Sequence, residues 1–170
     1  SDAVLEGFRP GVMERLGLGP DVCLERTPAL TYVRTTGWGQ DGPLAHLAGH
    51  DLNYIGLTGV LAAMGQAGDP PPVPLNLIGD YGGGAMFAVS GLLAAVLSAR
   101  NTGRGQVVDV AMTEGVATLS SVFHALMAQG LWQDRPGVNL LDGSRPFYRC
   151  YGCSDGGHIA VAALEPQFFA

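Results

Sequence analysis

Leu75-Asn76-Leu77-Ile78-Gly79-Asp80-Tyr81-Gly82-Gly83-Gly84, running without a break into the uncharged apolar stretch Ala85 to Ala99, is the segment on which the fold turns. Leu75 to Ile78 reads as a short strand, the glycines as the turn after it, and the apolar stretch as a buried helix ending near Arg100. Taken by itself, Ala85 to Ala99 is too short to span a bilayer. An acid at the junction of strand, glycine run and helix sits where ligands bind in α/β folds. The helix start adds free amide protons and a positive dipole end that favour an oxyanion or carboxylate. Capping that helix is the alternative role for Asp80.

Working outward, Pro70-Pro71-Pro72-Val73-Pro74 is an extended connector, because proline lacks an amide proton and clashes with a preceding helical turn. Before it, His50 to Leu61 has the character of a helix, and Thr35 to Pro43 is too rich in glycine for regular structure. Long loops of that kind in compact domains are commonly functional. Leu30 to Arg34 and the opening Ala3-Val4-Leu5 read as strands. A short helix lies between Pro10 and Gly17, the usual start and stop pattern. After the apolar helix, Thr102-Gly103-Arg104-Gly105 is a turn, Val107 to Met112 a strand and Glu114 to Gln129 a helix. Strands alternate with helices, which defines an α/β class. From Asp134 to Ser144 the chain is polar and turn-rich, and a strand pair follows at Phe147 to Tyr151 and His158 to Ala163. Both ends are abrupt, with Gln167-Phe168-Phe169-Ala170 resembling a helix just beginning, so the sequence reads as a fragment.

The 170 residues are 47% hydrophobic, enough for a real core, and the mean hydropathy of +0.22 speaks against disorder. A formal charge of −6 and a pI near 5.0 argue against nucleic acid or an anionic membrane as the main partner. The odd count of 3 cysteines, with no visible secretory signal, favours a reducing compartment, hence the cytoplasm, over a disulfide framework.

Among titratable residues, His50 lies just after the long loop at a helix start and suits a general base, although a hydrogen-bonded structural role is the commoner fate of such a histidine. His46, His124 and His158 have weaker claims. Glu165 stands between an apolar strand and Pro166, where it is either held for function or a plain surface carboxylate. Arg9 and Arg15 flank the first helix and could share a phosphate-bearing ligand, or pair with Glu6 or Glu14. Cys150-Tyr151-Gly152-Cys153 has no second ligand pair, so a structural zinc is disfavoured against coincidence in a hairpin, with redox chemistry behind. No metal site is expected. Gly17-Leu18-Gly19 does not continue as a dinucleotide fingerprint, and there is no Walker sequence.

In order and spacing, Glu6-Gly7-Phe8-Arg9-Pro10-Gly11, Thr36-Gly37-Trp38-Gly39-Gln40, Gly49-His50-Asp51-Leu52-Asn53-Tyr54, the segment from Leu75 to Gly84, Thr102 to Val107, Asn139 to Gly143 and Leu164-Glu165-Pro166-Gln167-Phe168 resemble the α-methylacyl-CoA racemases of the class III CoA-transferase superfamily, the CaiB/BaiF type. The resemblance covers nearly the whole chain. It implies an incomplete Rossmann-like large domain over residues 1–109, a linker over 110–148 and the start of a smaller α+β domain over 149–170. It implies that His50, supported by Glu165, works opposite Asp80 in adding and removing the proton beside a thioester carbonyl. Such a two-base transfer needs two titratable groups, each base in one direction and acid in the other. The enolate formed needs donors aimed at its oxygen, for which the amides around Asp80 and the glycine run are candidates. Arg9, Arg15 and Gly49 are implied near CoA, with Tyr54 and Asn76 near the acyl-pantetheine end.

The same resemblance implies no cofactor beyond the CoA of the substrate. It also implies an interlocked homodimer in which Glu165 serves the partner's His50. Ser144 and Arg145 depart from the small residues usual in the family, which bears on acyl preference. One alternative is a CoA-transferase in which Asp80 carries the acyl group as a mixed anhydride. Against it, transferases usually have an aromatic residue in place of His50 and lack the pattern around Glu165. A further alternative is a non-catalytic acyl-CoA-binding domain, and the isolated fragment is expected to be inactive.

Overall fold

The computed structural model describes residues 1–169, with side chains to 168, so that Ala170 of the expected terminal helix lies outside the described residues. Contacts divide the chain into two compact units, one formed by Ser1–Thr58 and Pro74–Ser120, the other by Gly59–Val73 and Ser121–Ala170.

The first unit is built on three parallel strands in the order β1 (Ala3–Glu6), β2 (Thr31–Thr36), β3 (Gln106–Ala111). Glu6 is in register with Arg34, and Arg34 with Asp109. The middle strand is buried on both faces, and its alternating side chains serve two cores. Tyr32 packs with Met13 of α1 (Val12–Arg15) and with Cys23 and Leu24 of α2 (Pro20–Arg26). Val33, on the opposite face, packs with Ala88 of α5 (Met86–Thr102) and with Val110. Helices therefore cover both faces of the sheet, the α/β arrangement expected of alternating elements. The helix α2 was not anticipated, although Gly19-Pro20 opens it with proline at its first position.

The segment from Leu75 departs from expectation. It forms no strand: Leu75 adopts a left-handed conformation with φ 61°, alone among described non-glycine residues. From there Leu77–Ala85 coils into a nine-residue π-helix that runs directly into α5. The amide of Met86 reaches back to the carbonyl of Tyr81, the wider spacing that defines this helix. A short apolar run is compatible with either strand or buried helix, and here the glycines allow the helical answer. Gly83 packs against Gly115 of α6 (Met112–Leu119) so closely that a Cβ on Gly115 would lie 1.9 Å from the Gly83 carbonyl oxygen.

The apolar stretch Ala85 to Ala99 is part of a longer continuous helical stretch, Leu77–Thr102, of 26 residues, which is long and apolar enough to cross a membrane by length and composition alone. Its Ala88, Ala95 and Ala99 are nevertheless buried, the first against the sheet. Two other expected helices are divided. His50 to Leu61 becomes α3 (Asp51–Leu57) and α4 (Val60–Ala63), parted by Gly59 at φ 80°, and Glu114 to Gln129 becomes α6 and α7 (Ser121–Ala128), parted at the buried Ser120.

In the second unit, β4 (Tyr148–Gly152) pairs antiparallel with β5 (His158–Ala162), and α8 (Pro166–Phe169) follows. Cys150 lies on β4, Cys153 just beyond it, and both are free thiols. The loop before the hairpin is tied by Asn139 and Asp142. Asn139, 5% exposed, donates its amide to the carbonyls of Gln133 and Arg135 and accepts from the amide of Gln133. Asp142 accepts the amides of Val138, Asn139 and Ser144. The Ser144 hydroxyl donates to the Asn139 carbonyl, so a residue singled out as a departure belongs to the knot of this loop. Gln66 donates to the Asp142 carbonyl at 3.2 Å and fastens the Gly59–Val73 stretch to it.

Candidate active site

The loops at the carboxyl ends of β1 and β2, with the start of α3, enclose a recess of about 290 Å³. Arg9, Trp38, Gly49, His50 and Tyr54 line it. An opening beyond the carboxyl ends of parallel strands is where α/β sheets bind ligands. A second, more apolar cleft of about 440 Å³ is lined by Asp80 together with α5 residues, and Gly7 contributes to the walls of both. Four sequence-predicted residues thus share one recess, with Asp80 beside the adjoining cleft.

His50 is the residue at which α3 begins, exposed, with its amide donating to the Asn53 side chain at 3.0 Å. Asp80 stands in the first turn of the π-helix, not at its cap, a position occupied by Asn76. The capping role for Asp80 is therefore set aside. Asn76 donates its side-chain amide to the Asp80 carboxylate at 3.2 Å, bringing two predicted site residues together. Tyr54 lies between charges: burial raises its phenol pKa, the Asp80 carboxylate raises it further, and Arg9 pulls it back. Its ring meets Trp38 edge to face at 4.7 Å. Gly49 packs against both rings, where a Cβ would come within 2.7 Å of Tyr54 and 2.8 Å of Trp38.

Two of the expected oxyanion donors, the amides of Gly79 and Asp80, are already engaged. Asp51, 4% exposed, accepts the amide of Gly79 at 2.6 Å and that of Asp80 at 2.8 Å on its Oδ2. These amides at the π-helix start are satisfied by protein and cannot wait for a substrate oxygen. Asp51 was missed by sequence reasoning. An acid in the first turn of a helix reads as serving its own helix dipole, and the sequence carries no sign that it reaches across to another.

The ion pairs considered for Arg9 and Arg15 with Glu6 or Glu14 are not formed. Glu6 and Glu14 both pair with Arg34, at 3.1 Å and 2.9 Å, and among the described residues neither Arg9 nor Arg15 has a carboxylate within ion-pair distance. Glu6 also accepts the Phe8 amide at 2.7 Å, which bends the chain from β1 into the loop carrying Arg9. Arg9 and Arg15 are exposed, and Arg15 does not line the recess. Glu165 belongs to the second unit, directly before α8, where its carbonyl accepts the Phe168 amide at 2.9 Å.

A helix-flanked parallel sheet with ionisable side chains at its carboxyl end is the arrangement in which α/β folds bind ligands. Over residues 1–170 the chain matches the family described as CoA-transferase family III, and it belongs to that family. It is 47% identical to the alpha-methylacyl-CoA racemase of Mus musculus over 170 residues, all of this chain and 45% of the relative, and 46% identical to that of Homo sapiens over 99% of this chain and 44% of the relative. The solved structure of a CaiB/BaiF family protein from Brucella suis superposes with a TM-score of 0.80 at 25% identity, covering 96% of this chain and 42% of that one. The class III CoA-transferase fold is thereby established, and the chain spans less than half the length of these relatives.

Proposed function

We propose that this chain is part of an enzyme that interconverts the (R) and (S) forms of 2-methylacyl-CoA thioesters by moving the proton at C2. The observation that carries the reading is that His50 and Asp80 stand at the starts of two helices joined through the buried carboxylate of Asp51. The identity of 46–47% to two racemases supports the substrate class. In this reading one of the pair takes the C2 proton while the other returns a proton to the opposite face, and the roles exchange in reverse. An imidazole has two ring nitrogens, one able to accept a proton while the other donates one, which suits His50 to both roles. The Tyr54 phenol, its pKa raised first by burial and then by Asp80, keeps its proton at neutral pH and is available as a donor on the recess wall. Arg9 and Arg15, free of carboxylate partners among the described residues, supply positive charge for the phosphates of CoA. Glu165 would support the histidine of a partner chain in a homodimer.

The test is to incubate the full-length protein with one enantiomer of a 2-methylacyl-CoA and a panel of free carboxylic acids. Inversion at C2 with no CoA appearing on any acid is the expected outcome. CoA transfer without inversion would replace this reading by a transferase in which Asp80 is the nucleophile.

A further inference from the structure

We propose that Asp51 is a positioning residue that sets the distance between His50 and Asp80, an inference that rests on the function proposed above. Asp51 is the first residue of α3, directly after His50, and its Oδ2 grips the amides of Gly79 and Asp80 at 2.6 Å and 2.8 Å. One buried oxygen therefore couples the helix start that presents the histidine to the helix turn that presents the aspartate. The approach is close: a Cβ on Gly79 would lie 2.8 Å from that oxygen and 3.2 Å from the Asp51 Cα, so only glycine lets the two backbones come this near. The other oxygen, Oδ1, is buried without a partner. Leaving half of a buried carboxylate unsatisfied is unfavourable, so the residue is poorly explained as a contribution to stability alone.

Two-base proton transfer is sensitive to this spacing, since a misplacement of about 1 Å at a reacting centre costs about 100-fold in rate. Asn76, four residues before Asp80, donates to the Asp80 carboxylate, so the Asp80 backbone is held by Asp51 and its side chain by Asn76. Asparagine at position 51 retains an acceptor oxygen for both amides, whereas alanine retains none.

The experiment uses the full-length protein as wild type, Asp51→Asn and Asp51→Ala, with two readouts. Amide hydrogen exchange of the peptide containing Gly79 and Asp80 reports the grip itself, whatever the reaction. Turnover is read as kcat and KM for whichever Asp80-dependent reaction the wild type performs, C2 inversion or CoA transfer. The expected result is that Asp51→Ala loses protection at Gly79 and Asp80 and about 100-fold in kcat with KM held within about threefold. Asp51→Asn is expected to keep the protection and to remain within about tenfold of wild-type kcat. The inference is overturned if Asp51→Ala loses the protection but keeps its kcat, or if Asp51→Asn keeps the protection yet loses as much kcat as the alanine variant. Failure of the racemase reading shows separately, as CoA transfer in place of inversion by the wild type.

Discussion

Arg34 has exchanged water for two carboxylates, donating to Glu6 at 3.1 Å and to Glu14 at 2.9 Å while only 8% exposed. Removing one member of a buried pair strands the other charge, at a cost of about 3–5 kcal/mol. Arg34→Ala is expected to lose stability of that order in urea unfolding of the full-length protein, and Glu6→Gln combined with Arg34→Met to recover most of it. This pair was not legible in the sequence, where Glu6 and Glu14 stand near Arg9 and Arg15 along the chain. The parallel register of β1 with β2, not sequence distance, sets Arg34 beside Glu6, and Glu14 reaches the same arginine from α1. His50 at a helix start was legible, because a loop followed by a polar-then-apolar pattern marks one. Tyr54→Phe tests the recess at the same scale. Removing a donor that matters chiefly in the transition state is expected to lower kcat by about 100-fold with little change in KM.

At the scale of elements, the segment from Leu75 to Gly84 shows where periodicity runs out. Its placement between the proline connector and the apolar helix was readable, but four residues cannot distinguish strand from helix, and a π-helix leaves no period of its own in so short a run. The tight fit of Gly83 on Gly115 gives a test of that helix. Gly115→Ala is expected to destabilise by about 1–3 kcal/mol and to lower activity with it, because the added methyl forces the turns that carry Asp80 to shift.

The loop held by Asp142 supplies a pH-dependent prediction. Burial alone would raise its carboxyl pKa, but hydrogen bonds from Asn139, Ser144 and Val138 outweigh burial and hold it below the ordinary 3.8. A lowered folded pKa contributes stability above 3.8 that is lost as pH falls through the folded value. Asp142→Asn is therefore expected to destabilise at neutral pH, with a penalty that shrinks in acid unfolding.

Over the whole molecule, the α/β class and the hairpin near the end could be read from alternation, because each element there is long enough to show its period. The grouping of Gly59–Val73 with Ser121–Ala170 could not, since it depends on contacts such as Gln66 with Asp142 between distant stretches. Large apolar side chains remain exposed on the first unit, among them Leu5 at 62%, Leu93 at 62% and Leu97 at 61%. Apolar surface left open in this way favours association. The 170-residue chain is expected to bind a hydrophobic dye strongly, and Leu93→Lys with Leu97→Lys to weaken that binding. The most direct measurement of the account is the stereochemistry at C2 in heavy water, for the full-length protein and for its His50→Ala and Asp80→Ala variants. The two-base reading predicts that the wild type inverts C2 with uptake of deuterium and that either substitution abolishes inversion. Inversion that persists in either variant, or that proceeds in the wild type without deuterium uptake, would contradict it.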